Sequence, residues 1–389
     1  MYNREATKAA KLFKESRQFC SCPHIYKGQF YNCNSRFSDI CPRCALLYRK
    51  DWLIICQSGC VPWDDIPQET IKKYTFYFLT LTAPSFGEIH FVPNTDSGSK
   101  VCACGKTHTE EDLHLKGVPV DPSTYDYEGQ VAWNYAAAQL WRNTYRALRN
   151  SFETLDFFRV WEWQSRGALH VHVILRIEAS EGVMPSKIKD IAHNQHTGEF
   201  GWGDQIDCQP LPDDNEREDR TKYLIKAVSY SAKTWGRFIK SRKGDNSLIS
   251  KHYRRLDKAA RKMECPKCVK GETCTAACHN NFGSIVRIIS NSRKSKNTPG
   301  WSLNGTNRKL LRQRRHDYYV SNYDWQETQI GMARAKKARH KLANINSSPQ
   351  DTAARFANIT ARYYKPGTTR PGTRNHRSKP ALAGLLAPF

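Results

Sequence analysis

Two histidines, His170 and His172, lie two residues apart in a segment rich in β-branched and aromatic residues. Side chains at positions i and i+2 of a strand project from the same face, so we expect the two imidazoles side by side. Ser-Arg-Gly at residues 165–167 predicts a hairpin turn, which places Glu162 directly opposite His170 at about 5 Å. Two imidazoles and a carboxylate suit a divalent cation such as Mg²⁺ or Mn²⁺. The alternative is a pair of histidines that merely face solvent.

A tyrosine and a lysine follow about 50 residues later, in a segment (221–236) that predicts a helix beginning at a threonine and ending at a glycine. Tyr223 and Lys226 are three residues apart and share a helix face. A tyrosine beside a lysine could act as a covalent nucleophile on a phosphodiester, with the lysine orienting it or aiding it electrostatically. Tyr230 is a possible second nucleophile. The alternative is an ordinary amphipathic helix, since such pairs are common.

The 14 cysteines fall largely into groups with the spacing of metal ligands. In the first group we expect a structural zinc site, with His24 and Cys33 as spare candidates for an ambiguous fourth ligand. Its predicted ligands are Cys20, Cys22, Cys41 and Cys44. Cys56 and Cys60 follow in an apolar stretch and are expected in the core.

Two further groups predict structural zinc sites. Closed sites rich in thiolates leave no open position, so we expect none of the three to be catalytic. The second group is Cys102, Cys104 and His108, with His114 as a candidate fourth ligand; the third is Cys265, Cys268, Cys274 and Cys278. The alternative for the third group is four unrelated free thiols.

The elements around the histidines predict an α+β fold, in which helices pack on one antiparallel sheet. We expect a strand at 75–84, a helix at 131–152 and two strands within 155–177. The acid-rich stretch 213–219 is expected to be a loop. Alternation along the first hairpin strand puts Trp161 and Trp163 on the face opposite Glu162, in the core.

The chain is strongly basic, with 61 Lys and Arg against 37 Asp and Glu in 389 residues, a formal net charge of +24. Residues 281–389 hold 21 basic and 4 acidic residues and so carry +17 of it. Such a surplus favours a polyanionic partner, and Arg312, Arg314 and Arg315 are candidate DNA-binding residues. The alternative is a basic tail that only aids solubility. The sequence offers no transmembrane segment or apolar leader, so we expect a cytoplasmic protein without a membrane partner.

Three motifs, in this order, resemble those of the HUH endonuclease superfamily: LTLTAPSFG at 79–87, HVH at 170–172 and YLIK at 223–226. Five separate stretches between about residues 20 and 240 also resemble the replication initiators of actinobacterial rolling-circle plasmids. They begin at residues 41, 79, 102, 118 and 160.

The resemblance implies a prokaryotic protein that makes a metal-dependent, site-specific nick through a 5′-phosphotyrosine intermediate and later rejoins the strand. By position it implies His170 and His172 as metal ligands and Tyr223 as the nucleophile. Related initiators often carry a second tyrosine directly after the lysine. Here that position is Ala227, so the number of active tyrosines stays open.

The resulting expectation is a replication initiator with four regions. These are a zinc-ribbon-like module at 1–65, an HUH domain at 66–240 with a Cys/His insertion near 102–114, a basic region at 241–345 with a zinc module at 265–279, and a disordered tail at 346–389. We expect single- and double-stranded origin DNA as partners, with a host helicase as a further candidate. The alternatives are an HUH transposase with the same chemistry and a non-enzymatic, zinc-dependent DNA-binding protein.

Overall fold

The computed structural model describes residues 11–93, 101–231, 246–269, 272–322 and 324–345; within these ranges the side chains of 226–231, 319, 320, 322, 344 and 345 are not described. The tail predicted at 346–389 lies outside these ranges. The described residues form two compact units, one from those between 11 and 52 and between 306 and 345, and the other from those between 53 and 305. The smaller unit is thus formed by two segments that are far apart in the sequence.

The larger unit is built on a five-stranded sheet in which every neighbouring pair is antiparallel, in the order β8-β3-β5-β4-β9. The strands are β3 (Tyr74–Thr82), β4 (Asp156–Trp163), β5 (Leu169–Glu178), β8 (Ile206–Pro210) and β9 (Ile289–Asn291). A two-stranded sheet, β6 (His196–Thr197) with β7 (Phe200–Gly201), accompanies it. The α+β class with an antiparallel sheet is thereby confirmed.

The helices of this unit are α3 (Gln68–Ile71), α4 (Tyr127–Ser151), α5 (Pro185–His193), α6 (Asp214–Ser231) and α7 (Leu248–Lys262). Apolar residues on one sheet face pack with α4, α5 and α7 in the main core. Trp161 and Trp163 lie there, 0% and 8% exposed, as alternation predicted. Cys56 and Cys60 are also fully buried, as expected.

The opposite face of the sheet carries a buried ion pair. Arg176 of β5 is 0% exposed and donates to Asp156 of β4 at 2.6 Å. The same guanidinium donates to the backbone carbonyls of Gly59, Gly300 and Trp301. Because a buried charge needs hydrogen-bond partners, these contacts tie the segment around residue 300 to the sheet.

The stretch 213–219, expected to be a loop, is the start of α6, so that expectation was wrong. The carboxylate of Asp213 accepts a hydrogen bond from the backbone N–H of Glu216 at 2.8 Å, as in a helix N-cap. Acidic residues in the first turn also complement the helix dipole. Arg217, 5% exposed, donates to the carbonyls of Cys60 and Leu211 and thereby anchors this turn.

The smaller unit combines helices from both ends of the chain with the hairpin of β1 (His24–Tyr26) and β2 (Gln29–Tyr31). Its helices are α1 (residues 11–18), α2 (Pro42–Gln57, which continues past residue 52), α8 (Arg308–Asn322) and α9 (Trp325–Ile345). None of the helices in the described ranges is long and apolar enough to cross a membrane.

Candidate active site and metal centres

Glu162 of β4 and His170 of β5 are direct cross-strand partners, as the hairpin register predicted. The turn between them is closed by a hydrogen bond from the Gly167 N–H to the Gln164 carbonyl, and Gly167 has a φ of +77°, which favours glycine. Oε2 of Glu162 lies 3.1 Å from Nε2 of His170 and 3.3 Å from Nε2 of His172. The three side chains thus meet on one sheet face.

These three residues form a group whose ligand atoms all lie within 4.8 Å of one another. Thr80 of β3 is the partner of His172 on the other side, and its Oγ1 lies 3.0 Å from Nδ1 of that ring. A hydroxyl can complement either tautomer of the ring, so it orients His172 with Nε2 towards the carboxylate. The donor set of two imidazoles and one carboxylate fits a divalent cation.

The electrostatics favour an ionised carboxylate between two histidines. Burial raises the pKa of Glu162, but hydrogen bonds from His170 and His172 outweigh burial and hold the pKa at about 2. Burial lowers the pKa of His172, with the neighbouring carboxylate acting in the opposite direction. An ionised carboxylate and neutral imidazoles are the protonation states that bind a metal.

Tyr223 of α6 reaches the same site. Its hydroxyl lies 3.4 Å from Nε2 of His172. The two rings meet edge to face, with 5.3 Å between their centroids. Phe78 of β3 stacks on the His172 ring, with 5.4 Å between the ring centroids, and its centroid lies 6.1 Å from that of the Tyr223 ring. The tyrosine is 42% exposed, so this residue lies at the metal-binding group and also at the protein surface.

Arg220 precedes Tyr223 by three residues on α6 and was not singled out in the sequence. Its guanidinium lies over the Phe78 ring at 4.9 Å and donates to Gln209 at 2.9 Å. Burial raises the pKa of Tyr223, the Glu162 charge raises it further, and Arg220 lowers it. Lys226 and Tyr230 belong to α6, but their side chains lie outside the described residues.

The hairpin that carries the histidines is held from behind by polar side chains that the sequence did not reveal. Asn134 of α4 accepts from the Leu169 N–H at 3.0 Å and donates to the Gly167 carbonyl at 3.1 Å. From α7, His252 donates to the Arg166 carbonyl at 2.9 Å, and Tyr253 donates to the Ser165 carbonyl at 2.7 Å. The sequence indicates these residues only as polar positions on the buried face of a helix.

The first cysteine group differs from the predicted set by one member, because Cys33 takes the place expected for Cys22. The residues brought together are Cys20, Cys33, Cys41 and Cys44. The hairpin of β1 and β2 turns the chain back, so the Cys33 N–H donates to the Cys20 sulfur at 3.2 Å. Cys22 instead donates to the Ile40 carbonyl at 3.1 Å and accepts from Arg339 at 2.6 Å.

The second group gains His90, which the spacing of the cysteines did not reveal. His90, Cys102, Cys104 and His108 lie together, with 3.2 Å between Nδ1 of His90 and Nε2 of His108. His90 is brought there by backbone hydrogen bonds that pair its segment with residues 117 and 118. The expected fourth ligand, His114, is exposed and lies near the Glu111 carbonyl instead.

A carboxylate supports this second group from outside. Asp112 accepts from Nδ1 of His108 at 3.0 Å, which leaves Nε2 facing the Cys104 sulfur at 3.3 Å. The hydrogen bond to Asp112 raises the pKa of His108. Such a carboxylate–histidine pair is the usual support of a metal-bound imidazole.

The third group holds His279 where Cys278 was expected. Cys265, Cys268, Cys274 and His279 lie together. Nδ1 of His279 donates to the Ala260 carbonyl at 2.8 Å, which directs Nε2 to the Cys268 sulfur at 3.4 Å. A hydrogen bond from the Lys267 backbone is the main cause that lowers the pKa of Cys265 to about 6. Burial raises the pKa of Cys278 to about 11.

The three groups have Cys₄, Cys₂His₂ and Cys₃His donor sets, the three combinations most common in structural zinc sites. The expectation of Cys/His groups that could hold a metal is therefore confirmed, while zinc itself stays a proposal.

The three candidate DNA-binding arginines of α8 differ in their surroundings. Arg315 is buried and binds both oxygens of Asp51, at 2.8 and 3.1 Å, so it serves the packing of the smaller unit. Arg312 and Arg314 are exposed.

Comparisons with known proteins point to one class. Residues 27–197 match the family model of the replication initiator protein of pSAM2, RepSA. A curated replication initiator protein from Streptomyces ambofaciens is 29% identical over 281 residues, covering 60% of each chain. This chain therefore spans about 60% of that relative's length. No solved structure matches significantly. The resemblance to replication initiators that the motifs indicated is thereby confirmed.

Proposed function

We propose that this protein initiates rolling-circle replication of a plasmid or related element by nicking one DNA strand at its origin, and that its larger unit is an HUH endonuclease domain. The observation that carries the proposal is the meeting of Tyr223 with Glu162, His170 and His172 on one sheet face. The similarity to replication initiators favours this function over transposition.

In the proposed reaction the Tyr223 oxygen attacks the scissile phosphorus, the bond from phosphorus to the 3′ oxygen breaks, and the 5′ phosphate stays on the tyrosine. The tyrosine proton ends, through water, on the departing 3′ oxygen. Rejoining is the reverse transesterification, so no nucleotide is consumed. Glu162, His170 and His172 would hold a divalent cation, which would supply Lewis-acid polarisation of the phosphate.

The protein's own contribution is position and charge. Phe78 packs against the rings of both His172 and Tyr223, and so fixes the nucleophile beside the metal-binding group. Arg220 is proposed to stabilise the negative charge of the phosphate. Its guanidinium acts electrostatically at the Tyr223 hydroxyl, where it lowers the pKa, and the scissile phosphate would lie next to that hydroxyl. Lys226, one turn further along α6, is proposed for the same electrostatic role.

The three Cys/His groups are proposed to be structural zinc sites, and the basic surface to hold single- and double-stranded origin DNA. A host helicase is proposed as a further partner that would unwind the duplex beyond the nick.

The test is a covalent adduct on a denaturing gel, with labelled single-stranded origin DNA and Mn²⁺. The wild-type chain should keep the labelled DNA attached after denaturation, because the link is covalent. Tyr223→Phe keeps the ring packing and removes the hydroxyl, so it should bind DNA and form no adduct. Tyr26→Phe, a change at an exposed tyrosine remote in sequence, serves as the matched control and should react normally.

Three results would overturn the assignment. An adduct from Tyr223→Phe that Tyr230→Phe abolishes would make Tyr230 the nucleophile. A wild-type chain that binds origin DNA but never nicks it, with either Mg²⁺ or Mn²⁺, would indicate a non-enzymatic DNA-binding protein. Strand transfer confined to the ends of a mobile element would indicate a transposase.

A further inference from the structure

The smaller unit contains a cleft that neither the candidate active site nor the metal groups explain. Its volume is about 430 Å³, within the range of small-ligand sites. The walls come from the β1–β2 hairpin, α2, α8 and the start of α9. Two members of the first cysteine group, Cys20 and Cys44, lie in one wall, so a metal bound there would brace the cleft.

The lining is unusually rich in cations. It holds five Lys and Arg side chains, and among the described lining residues one carboxylate, Asp51. Both oxygens of that carboxylate are held by Arg315. A Zn²⁺ ion on four thiolates would add a charge of about −2, and the lining would still be positive. The cleft therefore suits an anion.

The lining is also aromatic, and several rings are already arranged in stacks with cations or other rings. The members are Phe19, Phe30, Tyr31, Tyr48 and Trp325. Arg308 lies over the Tyr48 ring at 4.4 Å, and Tyr31 stacks on His24 at 5.8 Å. Nε1 of Trp325 is buried with no hydrogen-bond partner among the described residues. A planar ligand with a hydrogen-bond acceptor would satisfy both features.

We propose that this cleft binds an unpaired nucleotide of single-stranded DNA, with its base among the aromatic rings and its phosphate at Arg312 and Lys309. A planar base and an attached phosphate match the two properties of the lining, and base stacking on aromatic rings is the common mode of single-strand binding. The inference rests on the proposed function, because a nicking enzyme must hold an exposed strand. A free nucleotide has the same chemistry, and the test separates the two sources.

Two matched pairs of residues make the test sharp. Arg312 of α8 and Arg334 of α9 are both exposed, but Arg312 lines the cleft and Arg334 is absent from the lining. Tyr31 and Tyr26 belong to the same hairpin, and only Tyr31 lines the cleft. The two substitutions of a pair remove the same charge or the same kind of ring. A difference in DNA affinity between them is therefore due to the position of the residue in the cleft.

The experiment measures binding of a fluorescent oligothymidylate to the full chain by anisotropy, in the Tyr223→Phe background so that no cleavage occurs. Tyr31→Ala should weaken binding about ten-fold through lost stacking. Arg312→Ala should lower the slope of log K against log salt by about 0.7, as one phosphate contact is lost. Arg334→Ala and Tyr26→Ala should change the affinity less than two-fold, in keeping with side chains outside the cleft.

Several results would overturn the inference. Equal losses within each pair would mean that the surface attracts DNA by charge alone. Tighter binding of free dTMP or ATP than of the oligonucleotide would make a free nucleotide the occupant. Equal effects on the annealed duplex would assign the cleft to paired DNA. The exposed Arg312 can be replaced without disturbing the core, so its result does not depend on folding.

Failure of the cleft and failure of the proposed function remain distinguishable. A chain that binds the oligonucleotide through Tyr31 and Arg312 but forms no covalent adduct contradicts only the nicking function. A chain that forms the adduct while all four variants bind alike contradicts only the cleft.

Discussion

Glu162 and His170 face each other across a two-stranded pairing, with 3.1 Å between the carboxylate oxygen and the imidazole nitrogen. The same carboxylate oxygen lies 3.3 Å from His172, so a single acidic group joins both histidines. Its ionised form is favoured, since hydrogen bonds from the two histidines overcome burial and hold its pKa at about 2. The site therefore presents an ionised carboxylate between two imidazole rings.

Glu162→Gln should remove metal binding at this site and lower the nicking rate by about 100-fold or more, since the amide keeps the shape but loses the charge. Mn²⁺ affinity, followed by electron paramagnetic resonance, and the nicking rate should fall together while DNA affinity is kept. Glu199→Gln, at an exposed carboxylate, is the control. Normal metal-dependent nicking by Glu162→Gln would exclude this carboxylate as a ligand.

The zinc content should distinguish Cys33 from Cys22. Cys33→Ser should lose one equivalent of zinc, since its sulfur belongs to the group of four, whereas Cys22→Ser should keep all zinc. Native mass spectrometry of the two variants measures the difference directly. The reverse result would restore the ligand set expected from the sequence.

A similar comparison applies to the second group, where His90→Ala should weaken zinc binding and His114→Ala should not. Because the other three ligands remain, the expected change is a weakened site that a mild chelator empties first. Release of zinc to a colorimetric chelator gives the rate. Faster release from His114→Ala than from His90→Ala would contradict the geometry.

Stability should fall as the pH drops from 6.5 towards 4, in part through His252. Burial lowers the pKa of this histidine from 6.5 to about 4. Between these values the unfolded chain binds a proton that the folded chain does not, so acid favours unfolding, by about 3 kcal/mol at most.

His252→Gln keeps a donor for the Arg166 carbonyl without titrating, so its free energy of unfolding should depend less on pH in this window. Urea unfolding at several pH values measures this dependence, and His114→Gln, at an exposed position, is the control. Identical pH profiles for the wild type and His252→Gln would show that this group does not contribute.

The sequence alone determined the hairpin and what it carries. A strand has a side-chain period of two, and a three-residue turn closed at Gly167 leaves one register, so the pairing of Glu162 with His170 follows from local geometry. The same alternation placed Trp161 in the core. These relationships depend on residues fewer than ten positions apart, where backbone geometry leaves few choices.

Only the tertiary structure decided which residues join across longer distances. Cys33, His90 and His279 enter the metal groups because a hairpin, a backbone pairing and a helix carbonyl bring them there, and spacing does not encode such contacts. The pairing of Asp51 with Arg315 spans 264 positions and removes an arginine expected to bind DNA. The physical reason is that side-chain meetings between distant segments depend on how whole elements pack, and many packings satisfy the same local pattern.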